Sequence, residues 1–477
     1  MDPRNFLFCL IFFLTIALIT SCHDRTLQTQ EWESWNTTSQ PIFPEENWMQ
    51  YKTPEEAGWS SDKLSAVKEK SNRVGSAAVM VIYNGVILSQ WGQTSRRFRC
   101  HSIRKSLLSA IYGIAIEKGE IDIDESIGSI GIDDISPLTE TEKSAKVSDL
   151  LKSRSGVYLP AAYEVPSMKE NRPKRDSHKP GTYWYYNNWD FNALATIYNN
   201  KTSSDLFKAF ENQIAVPTRM QDFELRHTYY HLEPENSSHP AYPFRMSARD
   251  LARIGLLYLN EGRWKKKQIV PADWVRKSTK PYSTYPGGGY GYMWWTFRES
   301  GQLGKLRTYA ARGYGGHSLY VVPGANLVFV HRANTYAGSQ KHVDYNTIRN
   351  MLLEVLKART GPPLPAPKLI TPDDPHADSS PSQTLTKAQR LSLMGKYFKD
   401  DNIVTVKELD SHLEITAPRG GNYFLLPRSA TEFEIEDIQK RGEFELDETG
   451  NATAVKVWFN VGVPYEMQRV RNDKHKK

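Results

Sequence analysis

Apolar and polar positions along this chain alternate in two rhythms, and the changes between them mark its elements. Residues Ala77 to Leu88 hold two apolar runs, AAVMVIY and VIL, around Asn84-Gly85. Asn-Gly between such runs is a strong hairpin signal, because the favoured tight turn needs positive φ at both central residues. From Ser102 to Gly119 the period lengthens. Leu107, Leu108, Ile111, Ile114 and Ala115 step at helical spacing, and Gly119 stops the helix. Further helices are predicted over Val147–Leu151, Asn192–Tyr198, Ser247–Asn260 and Pro271–Ser278, with one more starting near Ser60 to Asp62. Between Ala310 and Asn334 two strand runs, SLYVVP and NLVFVHR, meet at Pro323-Gly324. Strands thus flank a long helical middle. That order predicts one antiparallel sheet with helices on its faces, plus a helical lobe.

The pattern then breaks. Residues 362–389 are rich in Pro, Asp and Ser, the composition of a linker. Beyond them come short β-like runs: Val404–Val406, His412–Thr416, Phe424–Leu426, Glu432–Ile435, Phe444–Leu446 and Ala454–Phe459. Turn residues separate them, which predicts a small barrel or sandwich over 390–477. The main block is expected over 51–361.

The N-terminus has a different character. Phe6 to Thr20 form an apolar run of 15 residues behind Arg4. That suits a signal-peptide core and is short for a bilayer span, which needs roughly 20 residues. The run ends Ile19-Thr20-Ser21-Cys22, which resembles a bacterial lipobox. Residues 1–22 are therefore expected to be a lipoprotein signal peptide, with Cys22 lipidated and 23–50 a polar tether. The protein is expected to be exported and lipid-anchored to the bacterial cell envelope, facing periplasm or exterior. An uncleaved membrane anchor is the alternative.

Composition narrows the chemistry. The 477 residues are 39% hydrophobic and 24% charged, as in soluble globular proteins, and the length allows two or three domains. A net charge of +7 is thinly spread, with no long basic stripe before Arg469–Lys477, so no nucleic-acid partner is expected. Three cysteines, Cys9, Cys22 and Cys100, do not make a disulfide framework. Neither CxxC nor HExxH occurs, so no metal or other cofactor is expected. Cys100 reads as a buried small hydrophobe.

Ser102-Ile-Arg-Lys105 opens the long helix. Positions i and i+3 share a helix face, which sets the hydroxyl beside the amine. The helix N-terminus favours an anion there, and burial would push Lys105 toward its neutral, basic form. The bland alternative is a Ser N-cap with a solvated Lys. Downstream, Tyr186 and Asn188 form a Y-x-N pair in an aromatic-rich turn. A phenol near a cation can relay a proton, and an Asn amide can hold Lys105 and an acyl oxygen.

With these residues in view the chain resembles the superfamily of class C β-lactamases, D-alanyl-D-alanine carboxypeptidases and esterases. The resemblance lies in Cys100–Leu107, Ile116–Asp124, Val147–Gly156, Ser247–Arg253, Gly255–Leu259 and Gly313-Tyr-Gly-Gly316, and covers roughly 55–360. The run GYGYMWW at Gly289–Trp295 is similar to the 6-aminohexanoate-dimer hydrolase branch. The resemblance implies a serine β-lactamase-like α/β (α+β) fold. It implies Ser102 as acylated nucleophile, Lys105 as its base, Tyr186 as proton relay and Asn188 as positioning group. The backbone N–H groups of Ser102 and Tyr314 would form the oxyanion hole. The family's third motif, Lys or His, then Ser or Thr, then Gly, aligns with Ala311-Arg312-Gly313. The cation is missing or moved by one residue, and on a strand that turns the side chain to the other face. Arg312, Gly313 and Tyr314 are the candidate substrate-binding residues, and the grip on a substrate carboxylate is expected to be weak.

The expected activity is hydrolysis of ester or amide bonds in small acyl substrates through an acyl-enzyme on Ser102. A β-lactamase or carboxypeptidase activity is one alternative, and a non-catalytic penicillin- or peptidoglycan-binding sensor another. A third would use Ser318, since GHSLY resembles a GxSxG elbow, but Tyr320 replaces the last Gly and Ser318 opens a strand. His101, His317 and His331 have no spacing that singles one out. The charged segment Met168–Lys179 is either a solvated loop or a basic lid. None of the candidate catalytic residues falls beyond 390, so the C-terminal domain is expected to be dispensable for chemistry.

Overall fold

A computed structural model describes residues 41–338, 341–373, 383–459 and 463–470. The signal peptide, Cys22, most of the tether and the basic tail beyond 470 lie outside the described residues. Among the described residues no helix is long and apolar enough to cross a membrane.

The hairpin forms as β1 (Ser76–Tyr83) and β2 (Val86–Gly92), with Asn84 and Gly85 both at positive φ. β3 (Phe98–Arg99) leads into α1 (Ile103–Glu117), and α2 (Asn188–Thr202) follows the Tyr186 turn. β4 (Arg245–Met246) pairs with β3 and precedes α3 (Ala248–Leu259). β5 (Tyr309–Gly313), β6 (His317–Val322) and β7 (Leu327–Ala333) form a meander, and β7 closes onto β1. The large sheet runs in the order Leu369–Ile370, Gln50–Tyr51, β2, β1, β7, β6, β5, Trp295–Thr296, Gly288–Tyr290, Ser283–Tyr285.

Side-chain alternation divides the sheet's two faces. Ala78, Met80 and Ile82 of β1 join the core that holds α1, α2 and α3. Val79, Val81 and Tyr83 join a second core under the helices Ser61–Arg73 and Tyr345–Lys357. The helical pattern of α1 suggested one apolar stripe. In fact every residue from Ile103 to Ala115 is buried, polar ones included. A helix enclosed on all sides can keep Arg104 and Lys105 out of water.

The tether and linker readings meet ordered structure. Trp48 is buried, Gln50–Tyr51 pairs with both β2 and Leu369–Ile370, and Lys387–Leu393 is helical. Such two-residue strands exist through partners distant in sequence, so a local pattern does not reveal them.

The C-terminal domain is a closed eight-stranded barrel, from Gly395–Lys399 to Tyr465–Arg469, and these first and last strands pair to close it. It is seated on the main block by an arginine-rich seam. Arg97 bonds Asp437 at 3.0 Å and Glu436 at 2.9 Å, and Arg226 bonds Glu436 at 2.6 Å. Arg96 donates to the Asp437 carbonyl at 2.7 Å. Arg245 donates to the Asn422 carbonyl and stacks over Tyr423, 4.0 Å from its ring centre. Gly420, at φ +94°, lets the barrel loop approach the main block: a Cβ there would lie 2.4 Å from the Tyr230 carbonyl oxygen.

Candidate active site

Ser102 caps α1, yet its side chain makes no capping bond. An ordinary N-cap serine accepts from an N–H of the first turn. Here the hydroxyl faces Lys105 instead. Lys105 Nζ lies 2.8 Å from Ser102 Oγ and 2.9 Å from Tyr186 OH. It also sits over the rings of Tyr186 and Phe191, at 4.6 and 4.7 Å from their centres. The solvated-lysine alternative therefore does not describe this residue.

Burial, and then the neighbouring Arg104 guanidinium, hold Lys105 well below the ordinary lysine range. Burial pushes the Tyr186 phenol above its usual value, against a smaller opposing pull from its hydrogen bond with Ser102. Both shifts favour the uncharged forms, an amine beside a phenol. Such an amine can accept the Ser102 proton.

Backbone geometry presents the serine. His101, directly before it, has φ +48°. β5 ends against this turn, and a Cβ on Gly313 would lie 2.4 Å from the Cys100 carbonyl oxygen. Gly313 therefore allows β5 to pass close to the serine turn. Tyr345 OH donates to the Gly313 carbonyl at 2.8 Å, fixing that strand end. Cys100 is fully buried, and burial pushes its thiol up.

A cavity of about 630 Å³ opens at Ser102. Tyr186, Asn188, Arg312 and Tyr314 all line it, together with Trp295 of the GYGYMWW run. Asn188 Nδ2 donates to the Tyr163 carbonyl at 2.7 Å, and its Oδ1 is buried without a partner. That leaves an acceptor at the cavity wall. No hydrogen bond joins Asn188 to Lys105 among the described residues, so the expected contact between those two is not formed.

Arg312 alternates with Ala311, whose side chain packs in the core with α1. It shares the opposite face with Ala310, as the one-residue shift implied. Its guanidinium nevertheless borders the cavity, packed at 5.2 to 5.6 Å from the ring centres of Trp295, Phe297 and Tyr345. Of the two possibilities left by the third motif, a missing cation or one moved by a residue, the second describes this wall.

Of the alternatives set aside in sequence, Ser318 is placed elsewhere, while His101 lines the same cavity as Ser102. Ser318 is fully buried in β6, and its Oγ donates only to the Gly316 carbonyl, at 3.4 Å. His101 and His317 both bond Thr335 Oγ1, at 2.9 and 3.4 Å, and burial pushes both rings well below the usual histidine range. Within the charged segment, Arg172 pairs with Glu164 and Arg175 with Glu142. Those two cations are neutralised within the fold. Among the described residues His227, Glu436 and Asp437 lie close enough together to hold a metal ion. Their carboxylates are already bound by Arg97 and Arg226, so the group reads as part of the barrel seam.

Sequence reasoning missed several cavity residues: Arg99, Tyr163, His231, Glu233 and the barrel's Arg419. Arg419 pairs with Glu233 at 3.3 Å and Glu235 at 3.0 Å. The barrel thus supplies part of the cavity wall, though none of the candidate catalytic residues. Arg99 alone sits near a recognisable motif, three positions before Ser102.

Among solved structures, SurE is 16% identical over 86% of this chain and 98% of its own, with a TM-score of 0.47. A 6-aminohexanoate-dimer hydrolase homologue from Bacillus anthracis is 18% identical over 69% and 92%, with a TM-score of 0.46. A class C β-lactamase variant is 14% identical over 62% and 96%, with a TM-score of 0.44. No curated protein matches the chain. A family model does: the one described as Beta-lactamase matches residues 62–350, the span that carries eight of the sheet's ten strands, α1 and every cavity residue except Arg419. With its fold and its match across more than half of the sequence, the chain belongs to the β-lactamase family.

Proposed function

We propose that the protein is a serine hydrolase that cleaves ester or amide bonds of small acyl substrates through an acyl-enzyme on Ser102. The observation that carries this reading is Lys105, buried, held toward its neutral form, and within 3 Å of both Ser102 Oγ and Tyr186 OH. Lys105 takes the Ser102 proton as Oγ bonds to the acyl carbon. The bond to the leaving group breaks, and Tyr186 OH relays a proton to that group. Water then attacks the acyl-enzyme, releasing the acid and restoring Ser102. The backbone N–H groups of Ser102 and Tyr314 are the proposed oxyanion donors, each worth roughly 3 kcal/mol in the transition state.

The pH profile tests the base. Lys105 works only when unprotonated, so activity falls on the acid side as it takes up a proton. Because its folded value is depressed, that limb of kcat/KM lies well below 10.5, the ordinary lysine value. A limb near 10.5 would contradict the assignment.

Two other readings keep a specific footing. Arg312 at the cavity wall favours carboxylate-bearing substrates, β-lactams among them. Comparing kcat/KM for a nitrophenyl butyrate and a chromogenic cephalosporin decides that: a tenfold advantage for the cephalosporin makes the protein a β-lactamase. A sensor would acylate once and not turn over. The Ser/Lys/Tyr set favours turnover, since binding alone does not need all three.

The proposed location is the bacterial cell envelope, through a lipid on Cys22. Mass spectrometry of the membrane fraction should find a modified N-terminus at Cys22. An intact Met1 start would show an uncleaved anchor instead.

A further inference from the structure

Charges around the cavity do not balance within the protein. Its two carboxylates are both matched: Glu164 by Arg172, and Glu233 by Arg419 and by His231 at 2.9 Å. Arg312 is wrapped in aromatic rings. Arg99 is different. It lines the cavity, and no carboxylate pairs with it among the described residues. Its Nη2 reaches Tyr423 OH of the barrel at 3.3 Å, its guanidinium lies 5.6 Å from the Tyr336 ring centre, and its Nε is buried without a partner. A half-buried guanidinium on a cavity wall, with phenols and no carboxylate beside it, offers its charge to a bound anion.

Its contact with Tyr423 touches the barrel seam, but Arg96, Arg97, Arg226 and Arg245 make the bonds to the barrel's carboxylates and carbonyls. Arg99 is also held in place. Its N–H donates to Tyr336 OH at 3.1 Å, and its strand pairs with β4. It stands three residues before Ser102, on the run that sets the nucleophile.

We propose that Arg99 is a specificity-determining residue that grips a carboxylate on the substrate, on the part extending from Ser102 toward the barrel. This rests on the serine-hydrolase reading and names its substrate class: acyl compounds bearing a negative charge. The planar, forked guanidinium matches a carboxylate's two oxygens, and a fixed donor pays little entropy for each bond.

The test uses the full-length protein and three esters. One is neutral, 4-nitrophenyl valerate. One carries the charge on the acyl side, 4-nitrophenyl hydrogen glutarate. One carries it on the leaving group, 3-carboxy-4-nitrophenyl valerate. Arg99→Gln should lower the charged-to-neutral ratio of kcat/KM at least tenfold for one of the charged esters, and which one shows where the carboxylate lies. Arg99→Lys should keep part of the ratio. Tyr423→Phe, which removes the barrel contact but not the charge, should keep it in full. Calorimetric titration with free glutarate and with inorganic phosphate gives a readout that needs no turnover. Glutarate affinity should fall at least tenfold in Arg99→Gln. Unchanged ratios and unchanged glutarate affinity overturn the proposal. Phosphate binding tighter than glutarate, with the same dependence on Arg99, overturns the carboxylate assignment. Absence of ester turnover in the wild type with Arg99-dependent glutarate binding would sink the hydrolase reading and leave the anion site standing.

Discussion

Ser102→Ala and Lys105→Ala are each expected to lower kcat/KM for a nitrophenyl ester by at least about a thousandfold, the scale seen when one member of a cooperating nucleophile–base set is removed. The two losses should not add. Without Lys105 the hydroxyl has no base within reach, and without Ser102 the amine has nothing to deprotonate, so the double variant should match the singles. Ser318→Ala should stay within a few-fold of wild type, because its hydroxyl is buried in β6 on a backbone carbonyl. Tyr186→Phe should fall between these limits, as it keeps the ring beside Lys105 and removes the relay.

The second large effect concerns the barrel. Arg97→Ala strands Asp437, whose side chain is only 5% exposed, and takes one of two arginines from Glu436. Removing one partner of a buried pair leaves an uncompensated charge, at a cost of roughly 3 kcal/mol. Thermal unfolding should begin several degrees lower in Arg97→Ala. Adding Asp437→Asn should recover part of the loss, because the stranded charge is then gone. A change within about 0.5 kcal/mol, typical of a surface substitution, would mean that the seam does not bind the barrel to the main block. Since Arg419 borders the cavity, weakening the seam should also raise KM more than it lowers kcat.

What could be read from the sequence was what local chemistry dictates. Asn84-Gly85 fixes a turn by its own backbone preference, and the period of α1 follows from residues one turn apart. The Ser102–Lys105 contact is likewise a consequence of helical spacing. The unread parts depend on residues far apart in the chain. Gln50–Tyr51 and Leu369–Ile370 are strands only because they find each other and β2. The first and last barrel strands exist by closing on one another. The cavity wall draws Arg99, Glu233 and Arg419 from three separate regions, and no spacing announces that they meet. Arg312 was named as a candidate, but its reach could not be read. Strand alternation gives the face on which a side chain starts, and says nothing of where a long one ends.

The central claim is that Ser102 is the nucleophile. Labelling the intact protein with a fluorophosphonate, then mapping the modified peptide, tests it most directly. The account predicts one modified residue, Ser102, with labelling abolished in Ser102→Ala and strongly slowed in Lys105→Ala. Label on Ser318, or labelling that persists in Ser102→Ala, would contradict it.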